Sequence, residues 1–300
     1  MDKKKLPGGL TRGRVARLCS QAAFLLLAPQ AFSGAFSGAK SVLVSIGAGK
    51  AAEMTSFVAL LLGLCAYTFM FGRFFCGYAC AFGTLGDAVF LVAESVRKKI
   101  AGGKARARKP LDEKLEGRLR LVKYAVLLAV LLACALGASA AISGASPWTA
   151  FGRLCNLQPD QIGVVGGALL LAVVVGMALR ERFFCEFACP MGAIFSLLPQ
   201  LPWASPARDM SVCNGCGKCR RGCPVGIWPP AGDAQVGECI RCGRCEEGCP
   251  LSCISSGKLP GAGEKPKGAR DLAVAVMAII LLALLWACGA VHFLPEAPWV

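Results

Sequence analysis

Eight cysteines stand in two runs of one spacing: Cys213, Cys216, Cys219 and Cys223-Pro224, then Cys239, Cys242, Cys245 and Cys249-Pro250. A C-x2-C-x2-C-x3-C-P run offers three thiolates from one tight loop. That donor set suits a cubane [4Fe–4S] cluster, whose fourth iron takes its thiolate from elsewhere. Where two such runs occur together, the fourth cysteine of each ligates the other cluster. The expected sets are therefore Cys213, Cys216, Cys219 and Cys249 for cluster 1, and Cys239, Cys242, Cys245 and Cys223 for cluster 2. Zinc is a poorer match, because it takes separated C-x2-C pairs or mixtures of cysteine and histidine. The chemistry implied is one-electron carriage. Glycines 215, 217, 222, 243 and 248 fit loops that close around sulfur.

A second pair of thiol motifs is an internal duplication. Arg73-Phe74-Phe75-Cys76, with Cys80 and Gly83 behind it, recurs 109 residues later as Arg182-Phe183-Phe184-Cys185, with Cys189 and Gly192. A C-x3-C spacing predicts two thiols one helical turn apart on one face. Four such thiols, Cys76, Cys80, Cys185 and Cys189, suit a third cluster or another thiol site at the axis relating the copies. The competing reading is packing near a helix end, with Arg73 and Arg182 anchored at lipid headgroups. The copies differ where Ala81 stands opposite Pro190.

The elements that must position these residues are apolar. The chain has 300 residues, is 55% hydrophobic and has a mean hydropathy of +0.57. Five apolar stretches approach the roughly 20 residues that cross a bilayer: Leu18–Ala39, Met54–Gly72, Leu121–Ile142, Ile162–Leu179 and Leu272–Val291. The first, behind Lys3, Lys4 and Lys5, competes with a cleaved signal peptide, but its length favours an uncleaved helix. The net charge of +15 concentrates in three segments, with 6 Lys/Arg in 1–18, 12 in 73–123 and 12 in 180–271. Lys40, Lys50 and Arg153 alone fall in the segments between. That asymmetry reads as the positive-inside rule and not as nucleic-acid binding, with Arg97–Lys109 a loop touching anionic lipid.

The expected fold is thus an α-helical integral membrane protein with about five transmembrane helices. A cytoplasmic two-cluster bacterial-ferredoxin-like α+β domain is inserted into it. Residues 1–205 form the membrane domain, 206–256 the tandem cluster domain, and 257–300 a linker and last helix. The location expected is the inner membrane of a prokaryote, with the N-terminus and cluster domain cytoplasmic and the C-terminus outside. Membrane lipid is the first partner.

Other residues are assigned more simply. Cys19, Cys65, Cys134 and Cys288 read as small buried hydrophobes, Cys155 as a lone external thiol, and Cys253 as a spare thiol in preference to an alternative ligand. No C-x2-C-H haem site occurs, and His292 is the one histidine. Candidates for a quinone site are Tyr67, Tyr78, Asp87, Glu94 and Glu186, each weighed against an ordinary anchoring role. Arg220, Arg221, Arg241 and Arg244 read as cluster-tuning charges, a docking face for an acidic redox partner, or plain solvated charge. Trp148, Trp203 and Trp299 read as interfacial belt residues.

At these motifs the chain resembles the membrane-bound polyferredoxins with paired C-x3-C-P motifs. The NapH-like quinol dehydrogenase iron–sulfur subunits are closest in plan, and the membrane parts of NosR-like and CcoG-like proteins share the motifs. The resemblance spans about residues 50–255. It lacks the flavin-binding domain of the NosR type and the β-sandwich of the CcoG type. It implies an electron-transfer subunit of a quinol dehydrogenase or oxidoreductase complex. Electrons would pass between the quinone pool or a cytoplasmic donor, such as ferredoxin, and an extracytoplasmic reductase or a flavin or haem subunit. The alternatives are a redox maturation factor for metal or cofactor assembly and a membrane redox sensor.

Overall fold

The structure is a computed structural model. It describes residues 12–29, 31–47, 49, 54–100, 112–138, 142, 144–201, 206–229, 237–256 and 269–291. The Lys3–Lys5 start, the basic stretch past Ile100, the linker 257–268, His292, Trp203 and Trp299 lie outside the described residues.

Most of the chain is helical. Helix α1 is Arg12–Leu27, α2 Ala31–Gly47, α3 Ser56–Phe71, α4 Phe74–Tyr78, α5 Ala81–Ile100 and α6 Glu113–Ala135. After α7 (Pro147–Cys155) and α8 (Val164–Leu179) come α9 (Phe183–Phe187) and α10 (Pro190–Leu197). The cluster segment holds strand β1 (Pro206–Arg208), α11 (Lys218–Arg221), α12 (Arg244–Gly248) and β2 (Ile254–Ser256), and α13 (Ala269–Ala287) follows. β1 and β2 pair antiparallel, Pro206 opposite Ser256 and Arg208 opposite Ile254, so the segment is tied shut where it enters and leaves.

Among the described residues no single helix is long and apolar enough to cross a membrane, so the expected integral membrane protein of about five spans is not supported. Two of the apolar stretches are cut short or interrupted by their own sequence. Thr55 caps α3 by accepting from the Val58 amide, and Gly72 ends it at φ 68°. At 16 residues each, α3 and α8 rise only about 24 Å. Helix α6 reaches 23 residues, but Arg118, Arg120 and Lys123 occupy its first half. A bent pair, Gly13–Leu27 with Ala31–Gly47, passes on length and composition only when its two helices are taken together across a 61° bend. The sidedness read from the charge asymmetry rested on those spans. Apolar side chains such as Leu62, Leu171 and Ile279 do remain exposed on α3, α8 and α13.

One core joins most elements. Phe24, Phe32, Phe36, Leu64, Phe74, Phe82, Phe184 and Met177 are all buried in it, and so are Cys239 and Ile240 from the cluster segment. Trp148 is buried against Phe36, with ring centroids 5.0 Å apart, and is therefore a core residue instead of a belt residue. Cys134 is buried as expected, whereas Cys19 is exposed and Cys65 and Cys288 are half-buried; Cys155, expected as an external thiol, is half-buried too.

Candidate functional site

The duplicated motif folds into duplicated backbone. Cys76 and Cys185 sit inside the short helices α4 and α9, while Cys80 and Cys189 stand just before α5 and α10. The Cys80 amide donates to Phe75 O at 2.9 Å and the Cys189 amide to Phe184 O at 2.9 Å. Ala79 and Ala188, at φ −125° and −126°, break the helix between the thiols of each copy. The C-x3-C pair therefore straddles a helix break instead of riding one continuous face. Pro190 takes the first position of α10, where its missing amide is harmless. Ala81 opens α5 at the same place, so the departure from the motif leaves the geometry intact.

All four of these thiols are buried. Burial, and then each other's charge, pushes Cys80 and Cys189 well above the ordinary thiol value. Around them the two arginines repeated in the motif cross over. Arg182 donates to Cys76 O at 2.5 Å, in the other copy, and clasps Asp87 through Nε at 2.7 Å and Nη2 at 2.6 Å. Arg73 lies against Gly192, where a Cβ would come 2.9 Å from its Nη2, and a Cβ on Gly83 would overlap Arg182. Both guanidinium groups are 1% exposed, so neither is a headgroup anchor. Arg73 Nε and Nη2 are buried without a hydrogen-bond partner. Four thiols facing two arginines, one with spare donors, fit an anionic thiolate-ligated cluster.

The ferredoxin-like segment is also a duplication, at a 26-residue offset. Gly217 and Gly243 each cap a short helix in the left-handed region, at φ 69° and 71°. Gly215 and Arg241 match two residues earlier, at φ 72° and 53°. The structure brings the eight cysteines together in two groups. Cys213, Cys216, Cys219 and Cys249 line one cavity, with Cys253 beside them. Cys223, Cys239, Cys242 and Cys245 line another. In the second group burial pushes Cys223 up to about 12 and Cys239 to about 11, with Cys242 adding to both. Bound iron reverses that balance, because the ligand is the thiolate. Among the described residues no three or more His, Cys, Asp and Glu converge as they would on a single metal ion. A cubane spreads its thiolates over four separate corners, so this donor set fits it better than one zinc ion.

The second cavity is docked on the first C-x3-C copy. A Cβ on Gly77 would overlap Ile240 O and lie 3.7 Å from the Cys242 amide nitrogen. Arg241 donates to Phe71 O at 3.2 Å, and Arg244 pairs with Glu181 at 2.5 Å. These two arginines are inward clamps and not solvated charge. Arg221 is exposed and donates to Cys216 O at 2.8 Å, whereas half-buried Arg220 lies over Trp228 and also reaches buried Glu116 at 3.8 Å.

Two buried networks escaped the sequence reading. Glu238 accepts from Arg73 at 3.2 Å and from Lys123, whose side chain is 0% exposed. Glu116 and Glu186 bind Arg120 and Arg180, and Arg120 also donates to Val225 O at 2.7 Å. Burial pushes Glu186 up to about 7 even against Arg180. The quinone candidates Asp87 and Glu186 are thus committed to ion pairs, Glu94 pairs with Lys98 at 2.9 Å, and Tyr67 donates to Met277 O at 2.9 Å. The one available signal was the matched offset of Arg73 to Gly83 and Arg182 to Gly192, which marks a close approach at both ends.

Residues 54–100 and 162–203, the two segments carrying the C-x3-C pairs, match the 4Fe-4S binding domain family. An uncharacterized protein of Methanocaldococcus jannaschii is 31% identical over 174 residues, 58% of each chain. The methylamine utilization ferredoxin-type protein MauN of Paracoccus denitrificans is 29% identical over 170 residues, 55% of this chain and 53% of that one. Protein NirI of the same organism is 27% identical over 177 residues, 55% of this chain but 23% of its own length. The chain thus spans little more than half the length of the first two and less than a quarter of the third. No solved structure matches it. These findings support a 4Fe–4S ferredoxin-type family and an iron–sulfur electron-transfer function.

Proposed function

We propose that the chain is an electron carrier with three [4Fe–4S] sites in series. The order is cluster 1, then cluster 2, then the site formed by Cys76, Cys80, Cys185 and Cys189. The observation that carries this reading is the contact at Gly77, where the Ile240–Cys242 loop and the first C-x3-C copy leave no room for a methyl group. Bound clusters would supply one-electron uptake and release. The residues do the rest. Gly77 and the clamps Arg241 and Arg244 hold cluster 2's loop against the third site. Arg73 and Arg182 supply positive charge that stabilises the reduced state there. The surrounding core keeps water from the four thiols.

The outer end is cluster 1, whose Cys216 is exposed beside the exposed Lys218 and Arg221. That face suits an acidic redox protein, since opposite charge steers encounter and fixes orientation. The resemblance to the ferredoxin-type protein MauN supports a place in a redox chain with partner proteins.

The experiment is iron and sulfide content of the anaerobically purified chain, with EPR of the reduced state. The wild type is expected to hold about twelve irons, and Cys76→Ala/Cys185→Ala about eight. About eight in both proteins would reduce the carrier to two clusters and make the C-x3-C pairs packing residues.

A further inference from the structure

The cavity of cluster 1 is lined by five cysteines, one more than a cubane uses. We propose that Cys253 is a second thiolate for the corner assigned to Cys249, able to take over that iron when Cys249 leaves it. This rests on the reading of Cys213, Cys216, Cys219 and Cys249 as the ligands of cluster 1.

The two sulfurs lie 3.4 Å apart. Cys249 is 6% exposed and Cys253 9%, and with Cys219 and Ile254 they form a small core of their own against which Cys213 and Cys245 pack. Local structure puts them there. Cys249 closes α12, and the chain then reverses through Ser252 at φ 52°. The Cys253 carbonyl accepts from the Asp209 amide at 2.8 Å, and the next residue, Ile254, pairs with Arg208 in the two-stranded sheet. Cys253 is therefore anchored by the β1–β2 pairing, and Cys249 by the end of α12.

The internal duplication supplies a control. At the 26-residue offset Cys249 corresponds to Cys223, and Cys253 corresponds to Ile227. Ile227 lines the cavity of cluster 2 and is equally buried, at 9%. Packing at this position is thus satisfied by an apolar side chain. The thiol is particular to cluster 1, the one with the exposed Cys216. The exchange balances without an oxidant: the Cys253 sulfur binds iron as a thiolate, its proton passes to the departing Cys249 sulfur, and no electron is transferred.

The test uses the full chain, purified anaerobically, as Cys249→Ala, Cys253→Ala, the double variant and Cys216→Ala. Alanine is chosen because a serine oxygen can itself ligate iron. The readouts are iron per chain and the reduced-state EPR spectrum. Each of Cys249→Ala and Cys253→Ala is expected to keep the wild-type iron content, with an altered cluster 1 signal in Cys249→Ala. The double variant is expected to lose about four irons. If Cys249→Ala alone loses as many as the double, or the double loses none, the proposal is overturned. Cys216→Ala, at the exposed corner, separates the two levels, because the Cys253 sulfur sits against Cys249 and Cys213. Iron loss there together with loss in Cys249→Ala overturns only the role of Cys253. Full iron in Cys216→Ala overturns the cluster 1 assignment itself.

Discussion

Removing the carboxylate of Asp87 isolates a buried charge. Arg182 is 1% exposed, and Asp87 accepts from two of its nitrogens at 2.7 and 2.6 Å. Its remaining acceptors, Cys76 O at 2.5 Å and Gly77 O at 3.5 Å, are uncharged. Breaking a buried pair from one side costs about 3–5 kcal/mol, because the other ion stays desolvated. With a urea m-value of about 3 kcal/mol/M, Asp87→Ala lowers the unfolding midpoint by about 1–1.7 M. Arg182→Met added to Asp87→Ala removes the stranded charge. The double variant is therefore expected to unfold at higher urea than Asp87→Ala alone. The assay is tryptophan fluorescence against urea on the anaerobic protein, with iron content measured in parallel. Losses that simply add in the double variant would refute the argument.

The same pair predicts a pH dependence. Burial raises the pKa of Asp87, but the Arg182 charge and hydrogen bonds outweigh it and hold the carboxyl below its ordinary value. A group depressed in the folded state contributes stability above its unfolded pKa, about 3.9, and loses it as pH falls through the folded value. The midpoint gap between wild type and Asp87→Asn is therefore full at pH 7 and closes below about pH 4. A gap unchanged at pH 3 would exclude the ion pair as its source.

Three further outcomes follow from the docking and the loops. Gly77→Ala forces the Ile240 carbonyl away and is expected to cost about 1–3 kcal/mol, with faster limited proteolysis of residues 237–256; unchanged proteolysis would mean the loop is not held there. Glu238→Gln leaves Lys123 and Arg73 without their shared counter-charge, at 0% and 1% side-chain exposure, and should lower the urea midpoint about as much as Asp87→Ala does. Gly217→Ala and Gly243→Ala, at φ 69° and 71°, should each cost about 1–2 kcal/mol and reduce iron retention, whereas Gly248→Ala, with open space around its Cβ position, should match wild type in both measurements.

The cysteine spacing was legible because ligand chemistry imposes it locally. The run alone groups Cys223 with Cys239, Cys242 and Cys245 as an expected ligand set, and what the structure adds is that these four line one cavity. The helical character was also legible, but the spans were not. Hydropathy averages over 20 residues, and it cannot register that Thr55 and Gly72 trim α3 to 16 residues, or that Lys123 is buried against Glu238 instead of facing water. Arg73 and Arg182 looked like anchors because arginine beside an apolar stretch usually is one. Their burial depends on partners 165 and 95 residues away, Glu238 and Asp87, which no local pattern links to them.

The departures from symmetry within the C-x3-C repeat fall where the ferredoxin-like segment docks. At the position of Asp87 the second copy has Ser196, which bonds Tyr124 at 2.9 Å and brings no charge. Arg73 therefore lacks the carboxylate that Arg182 has within the repeat, and takes Glu238 from beside Cys239. At the position of Glu186 the first copy has Gly77, the residue whose missing side chain admits Ile240. One copy thus turns to the Arg120–Arg180 network, which meets the same segment at Val225 O, and the other admits the Ile240 loop directly. A buried ion pair is weak evidence for stability, but its one-sided loss is costly, so it favours a single docking register. The Arg73–Glu238–Lys123 pairing is best understood that way: Arg73, left short by the broken repeat, and Lys123 on α6 share Glu238 only when the cluster 2 loop sits on the Gly77 copy. Restoring an acidic residue at 196 should then weaken the docking, because Arg73 would have a partner that does not come from the cluster segment.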